Sequence, residues 1–246
     1  TFLTRKPVMK YDSETTLYTG IATGSSVEMD KSISSMASNT AFDNLINIVK
    51  SRETQQEIAI SLLAQHLLLD KADPKYISRK HYAEIKQIAP SFLLRLVVKK
   101  PVVTATDAKV TATAPGNTDG DTTAENQIFS FNSVNDSTTP IWLPASINRA
   151  AFEQTVKNIT EYMQSSDTNF VYKLLNFTDP HYSISAISSV KVQRVGNSDL
   201  VNLKYESDDP GICQQTLALF TEVCIKNYKN FKENRSDAVV KYFQFQ

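Results

Sequence analysis

The chain has 246 residues, 41% hydrophobic and 21% charged, the balance of an ordinary globular protein with one large core or two modest ones. Its 26 Lys+Arg are matched by 26 Asp+Glu, so no overall field favours nucleic acid or an anionic membrane, and no nucleic-acid partner is expected. No stretch approaches the ~18–20 apolar residues of a membrane span, and the chain opens at Thr1 without a charged n-region, as expected of a piece excised from a longer protein.

Thr15 to Thr23 is rich in Thr and Tyr and alternates loosely, which predicts a strand. A Ser/Met/Asp stretch follows, and Thr40 has the character of an N-cap ahead of Phe42, Leu45, Ile46 and Val49 at helical spacing. Ser51 can cap a second helix carrying Ile58, Leu62, Leu63, His66 and Leu67. Asp73-Pro74 ends it, and Ser78 opens a short helix to about Ala89. Residues 104–140 turn to Thr, Ala, Asp, Asn and Gly and are expected to form a flexible insertion, with a short strand at Gln127–Val134.

A long helix is expected from Asn148 to Asn176, with Ser165-Ser166-Asp167 able to interrupt and recap it. Beyond Asp179-Pro180 and a short helix or turn, Val190–Val195 and Leu200–Tyr205 flank Gly196-Asn197-Ser198-Asp199, the pattern of a β-hairpin. Asp209 then suits an N-cap and Pro210 the first helical position. Cys213, Leu217, Phe220, Cys224, Tyr228 and Phe231 recur at 4, 3, 4, 4 and 3, a single helical stripe. The pattern runs to Tyr242 without a stop signal, so the helix is expected to protrude and to be cut short at Gln246. Its two cysteines would be ~16 Å apart, beyond the ~7 Å limit for a disulfide, and are expected to be buried thiols.

Three of these stretches resemble the bacterial polysaccharide chain-length determinant family (Wzz-type, or polysaccharide co-polymerases). They are Thr15–Thr23, Phe42-Asp43-Asn44-Leu45-Ile46-Asn47-Ile48-Val49-Lys50-Ser51-Arg52, and Val195–Leu200 continuing through Ser207-Asp208-Asp209-Pro210 into the last helix. The resemblance covers roughly two-thirds of the chain and leaves 104–140 outside. It implies a single periplasmic domain spanning 1–246, anchored in the inner membrane by transmembrane helices absent from this piece. It also implies a homo-oligomer that regulates the length of a surface polysaccharide without catalysis, with the polymerase and its lipid-linked glycan as partners. Two other functions stay open: the periplasmic domain of a polysaccharide-biosynthesis tyrosine autokinase, and a carbohydrate-active enzyme.

The residues themselves point to no catalytic site. His66, His81 and His181 are scattered along the chain without metal-ligand spacing, and no nucleophile or phosphate-loop motif appears. Asp208-Asp209 is explained by capping and by the positive end of the helix dipole. Asn117, Asp119, Asp121 and Glu125 alternate like a calcium loop but lack its Gly and terminal Glu. No metal and no cofactor is therefore expected. The candidate contact for an anionic glycan or a neighbouring protomer is the basic row Lys226, Lys229, Lys232 and Arg235, against the simpler reading of a solvated helix face. The expected fold class is α+β: a small mixed sheet packed against several helices.

Overall fold

The computed structural model describes residues 9–21, 31–98, 140, 142–177 and 179–244, with side chains described throughout except at 31–38 and 230–244. The elements are β1 (Tyr11–Tyr18), α1 (Lys31–Lys50), α2 (Arg52–Leu68), α3 (Arg79–Ile88), a 3₁₀ turn at Leu93–Arg95, α4 (Arg149–Ser165), α5 (Phe170–Asn176), α6 (Ile184–Ile187), β2 (Lys191–Arg194), β3 (Leu200–Ser207) and α7 (Pro210–Gln244). The class is α+β. The described sheet is antiparallel rather than mixed, in the order β1-β3-β2. The hairpin turn fixes β2 antiparallel to β3, and β1 joins the other edge in the same sense, Tyr11 opposite Ser207 and Tyr18 opposite Leu200.

Central strand β3 alternates as a half-buried strand must, with Val201, Leu203 and Tyr205 buried. Its outer face carries cross-strand ion pairs, Lys204 to Asp12 at 3.0 Å and Lys191 to Glu206 at 3.1 Å. Gly196 takes φ +54° in the hairpin turn, the left-handed conformation for which glycine is suited.

Helix α2 is the core element. Ile58, Ala59, Ile60, Leu62, Leu63, Ala64 and Leu67 are buried around much of its circumference, as in a helix enclosed by neighbours. It packs against α7, α4, α6 and α1. Ser51 caps it, its side chain accepting from Thr54 N–H. Helix α7 buries Ile212, Cys213, Leu217, Phe220, Cys224 and Tyr228, so the apolar stripe its spacing predicts is built into the core as far as Tyr228. Burial raises the Cys213 thiol to about 11 and Cys224 to about 12; both are free, protonated and unreactive.

Several boundaries differ from expectation. The first strand starts four residues earlier and ends five earlier, Tyr11–Tyr18, because its partner β3 supplies the pairing the isolated sequence could not specify. Helix α1 is already formed at Lys31, so Thr40 lies inside it rather than capping it. The break after Ser165 is where the Ser-Ser-Asp run predicts it, and Asn169 recaps α5 by accepting from Tyr172 N–H. The strand at Gln127–Val134 and the calcium-like Asn117–Glu125 run lie outside the described residues.

Gly211, in the first turn of α7, presses on the backbone of the turn before α3. A Cβ built there would lie 2.7 Å from the Tyr76 carbonyl carbon, 2.8 Å from Ile77 N and 2.8 Å from Pro74 O. Backbone cannot rotate away as a side chain can, so Gly211→Ala is expected to cost about 3 kcal/mol, the upper range of an overpacked core. Urea unfolding of the variant measures this; an unchanged midpoint would show that the contact is looser than its geometry.

Candidate functional site where the last helix begins

The chain passes from β3 into α7 through Ser207-Asp208-Asp209-Pro210, and Asp209 holds two helices at once. Its Oδ1 accepts from Gly211 N–H at 2.9 Å and Ile212 N–H at 3.2 Å, capping α7. Its Oδ2 accepts from the backbone N–H of Ser78, the N-cap of α3, at 2.9 Å, and lies 2.7 Å from His81 Nδ1. The Asp209 side chain is wholly buried. Burial alone would raise its carboxyl. Hydrogen bonds from the Ser78 hydroxyl, His81 and backbone N–H groups outweigh that and hold it at about 2. The stability this contributes is complete above the unfolded value of 3.8 and is lost as pH falls through about 2.

Asp208 does something else. Its Oδ1 is 2.7 Å from His181 Nε2 and its Oδ2 is 3.5 Å from His81 Nε2. Burial opposes its ionisation, but the hydrogen bond and charge of His181, with the charge of His81, hold the carboxyl below its ordinary value. His181 is placed by an Asx turn, in which Asp179 Oδ1 accepts from His181 N–H at 2.8 Å and Tyr182 N–H at 2.7 Å. His81 is placed by the capped first turn of α3, the Ser78 hydroxyl accepting from its N–H. The two imidazoles approach with ring centroids 4.5 Å apart at 61°, and both are buried, at 6% and 5% exposure.

The third histidine lies behind them. His66 is fully buried on α2, with Nε2 3.1 Å from the Tyr76 carbonyl and Nδ1 2.7 Å from the Tyr182 hydroxyl. A carbonyl only accepts, so Nε2 carries the proton and Tyr182 donates to Nδ1. Burial drives the imidazole down to about 3, against a weaker opposing effect of the Tyr76 hydrogen bond, and raises the Tyr182 hydroxyl well above its usual range.

The histidines expected to be scattered are therefore gathered in space: α3, the turn before α6 and the β3–α7 corner bring His81, His181 and Asp208 together. The capping explanation holds for Asp209 but not for Asp208, whose carboxylate faces the imidazoles. One sequence signal could have found it: the second acid precedes the cap, where capping has no use for it. Chemically the corner offers two imidazoles and a carboxylate to a cation, with a second carboxylate behind one ring.

The basic row is elsewhere on α7. Lys226 pairs with Glu57 of α2 at 2.7 Å, and Lys229 is exposed. The side chains of Lys232 and Arg235 lie outside the described residues.

Comparison with protein-family models, curated proteins and solved structures finds no match to this chain. Among the described residues, no helix is long and apolar enough to cross a membrane.

Proposed function

We propose that this chain is the periplasmic scaffold of a Wzz-type regulator of surface-polysaccharide chain length, anchored in the bacterial inner membrane. The observation that carries the reading is a connection. The N-terminal strand pairs along its full length with β3, and β3 runs through the Ser-Asp-Asp-Pro corner into a 35-residue helix. That is the order of strand, corner and long helix that the resemblance implies. A long helix rooted in a sheet-and-helix core suits a mechanical role, presenting an extended surface to neighbouring copies, to the polymerase and to its lipid-linked glycan. Regulation then works through packing between protomers, and the domain itself carries out no reaction.

The test is disruption of the full gene in its parent organism, with the surface polysaccharide resolved by size. The expected result is a polymer made in similar amount but without its preferred length, restored by the intact gene. A preferred length that survives disruption would overturn the reading. Charge reversal at Lys226, Lys229, Lys232 and Arg235 tests the basic row within the same assay. Contact with glycan or protomer predicts a shifted length, and an unshifted one assigns the row to solvent and to the Glu57 pair.

A further inference from the structure

We infer that His81, His181 and Asp208 form a binding site for one divalent transition-metal ion of the zinc class, with Asp209 as the outer carboxylate that orients His81. The inference is independent of the proposed function. The donor atoms all lie within 4.8 Å of one another. Ligands around one zinc at ~2.0–2.2 Å lie roughly 3–3.5 Å apart, so small side-chain rotations suffice to close the set. Asp208 already has one oxygen 2.7 Å from His181 Nε2, whose N–H donates to it and whose proton passes to solvent as the ion binds, and the other 3.5 Å from His81 Nε2.

The hydrogen bonds say which atoms are available. In neutral His81, Nδ1–H donates to the buried Asp209 Oδ2 at 2.7 Å, which leaves Nε2 with a lone pair. That lone pair faces Asp208 Oδ2 at 3.5 Å and Glu84 Oε2 at 3.9 Å. Electron-rich atoms converging in a largely buried corner favour a cation among them, and the only one the described residues bring to His81 Nε2 is the exposed Lys80 ammonium at 3.4 Å. A carboxylate on the far nitrogen of a ligating imidazole is the usual outer support of a histidine–metal bond, fixing its tautomer and orientation.

Two imidazoles and one carboxylate suit zinc and its first-row neighbours; magnesium and calcium favour all-oxygen sites. Asp208 is 28% exposed, which gives the ion access from solvent. Lys80 Nζ lies 3.4 Å from His81 Nε2, but its side chain is 71% exposed and can swing out as the ion enters. Three protein ligands leave a coordination position for water or for Glu84. A bound ion would tie α3, the turn before α6 and the start of α7 together, so the fold should be stiffer with metal than without.

Titration calorimetry of the chelator-treated full chain with Zn²⁺ is expected to show one ion per chain, with Mg²⁺ silent at the same concentrations. The protein has only three histidines, so long-range ¹H–¹⁵N spectra can follow each ring. Nε2 of His81 and His181 should shift with one equivalent of Zn²⁺, while enclosed His66 stays in place as an internal control. Asp208→Asn keeps the shape of the ligand and is expected to weaken Zn²⁺ binding at least about 10-fold. The proposal is overturned if Zn²⁺ fails to saturate at one equivalent, if Asp208→Asn binds as tightly as the parent chain, or if the two ring signals stay unmoved. The ring signals are read on the unaltered protein, so they decide the matter even if the variant misfolds.

Discussion

Asp209→Ala is expected to lower the stability of the fold by about 4 kcal/mol, a lost helix cap together with two buried donors left without an acceptor. A lost helix cap alone accounts for only about 1 kcal/mol. The remainder comes from the far oxygen. Removing it strands Ser78 N–H at the start of α3 and leaves His81 Nδ1 without its acceptor in a buried corner. Asp209→Asn separates the two contributions. Asparagine is as good a cap as aspartate, but its amide nitrogen would point a donor at Ser78 N–H and at His81. It is therefore expected to retain the capping contribution and lose the other, falling between the parent and the alanine variant. Urea unfolding of all three proteins at pH 7 gives the comparison. A loss of only about 1 kcal/mol for alanine would mean that the link to α3 contributes nothing beyond the cap.

Acidification from neutral pH is expected to destabilise the protein through His66 by about 5 kcal/mol in all. The unfolded imidazole takes a proton near 6.5, whereas the folded one resists until about 3. Between those values the unfolded chain binds one proton more, so stability falls by about 1.4 kcal/mol for each pH unit. The contribution is complete above 6.5 and is lost as pH drops toward 3. The sign follows from the hydrogen bonds: Nε2–H already donates to the Tyr76 carbonyl, and Nδ1 accepts from the Tyr182 hydroxyl. A second ring proton would have to displace that donor inside the core. Since a typical domain has only about 5–15 kcal/mol to lose, acid near pH 3 should bring the chain close to unfolding. Unfolding curves at several pH values, with His66 followed by NMR, check this. A His66 ring that titrates near its unfolded value while the protein stays folded would contradict it.

Much of the element order is legible in local residue chemistry. Ser51 and Ser78 each cap the helix they precede, because a capping side chain acts on amides only two or three residues away. The Gly-Asn turn makes its hairpin and Asp209-Pro210 starts its helix for the same reason, since both devices are local. The stripe from Cys213 to Tyr228 is buried as its spacing predicts, helical periodicity being sufficient to mark a face. The first strand is less legible: β1 buries only Leu17, so its limits come from pairing with a strand nearly two hundred residues away.

The sequence alone determined the α+β class, the caps at Ser51, Ser78 and Asp209, the hairpin, the break after Ser165 and the buried thiols, each decided by residues a few positions apart. Only the tertiary structure decided that the sheet is antiparallel throughout its described strands and that Asp208 faces two histidines. His81 and His181 are 100 residues apart, and each has a local explanation, one in a capped first turn and the other in an Asx turn. Their meeting at Asp208 depends on how α3, the turn before α6 and the β3–α7 corner pack around α2. Packing of that kind is set by long-range burial, which no local pattern encodes.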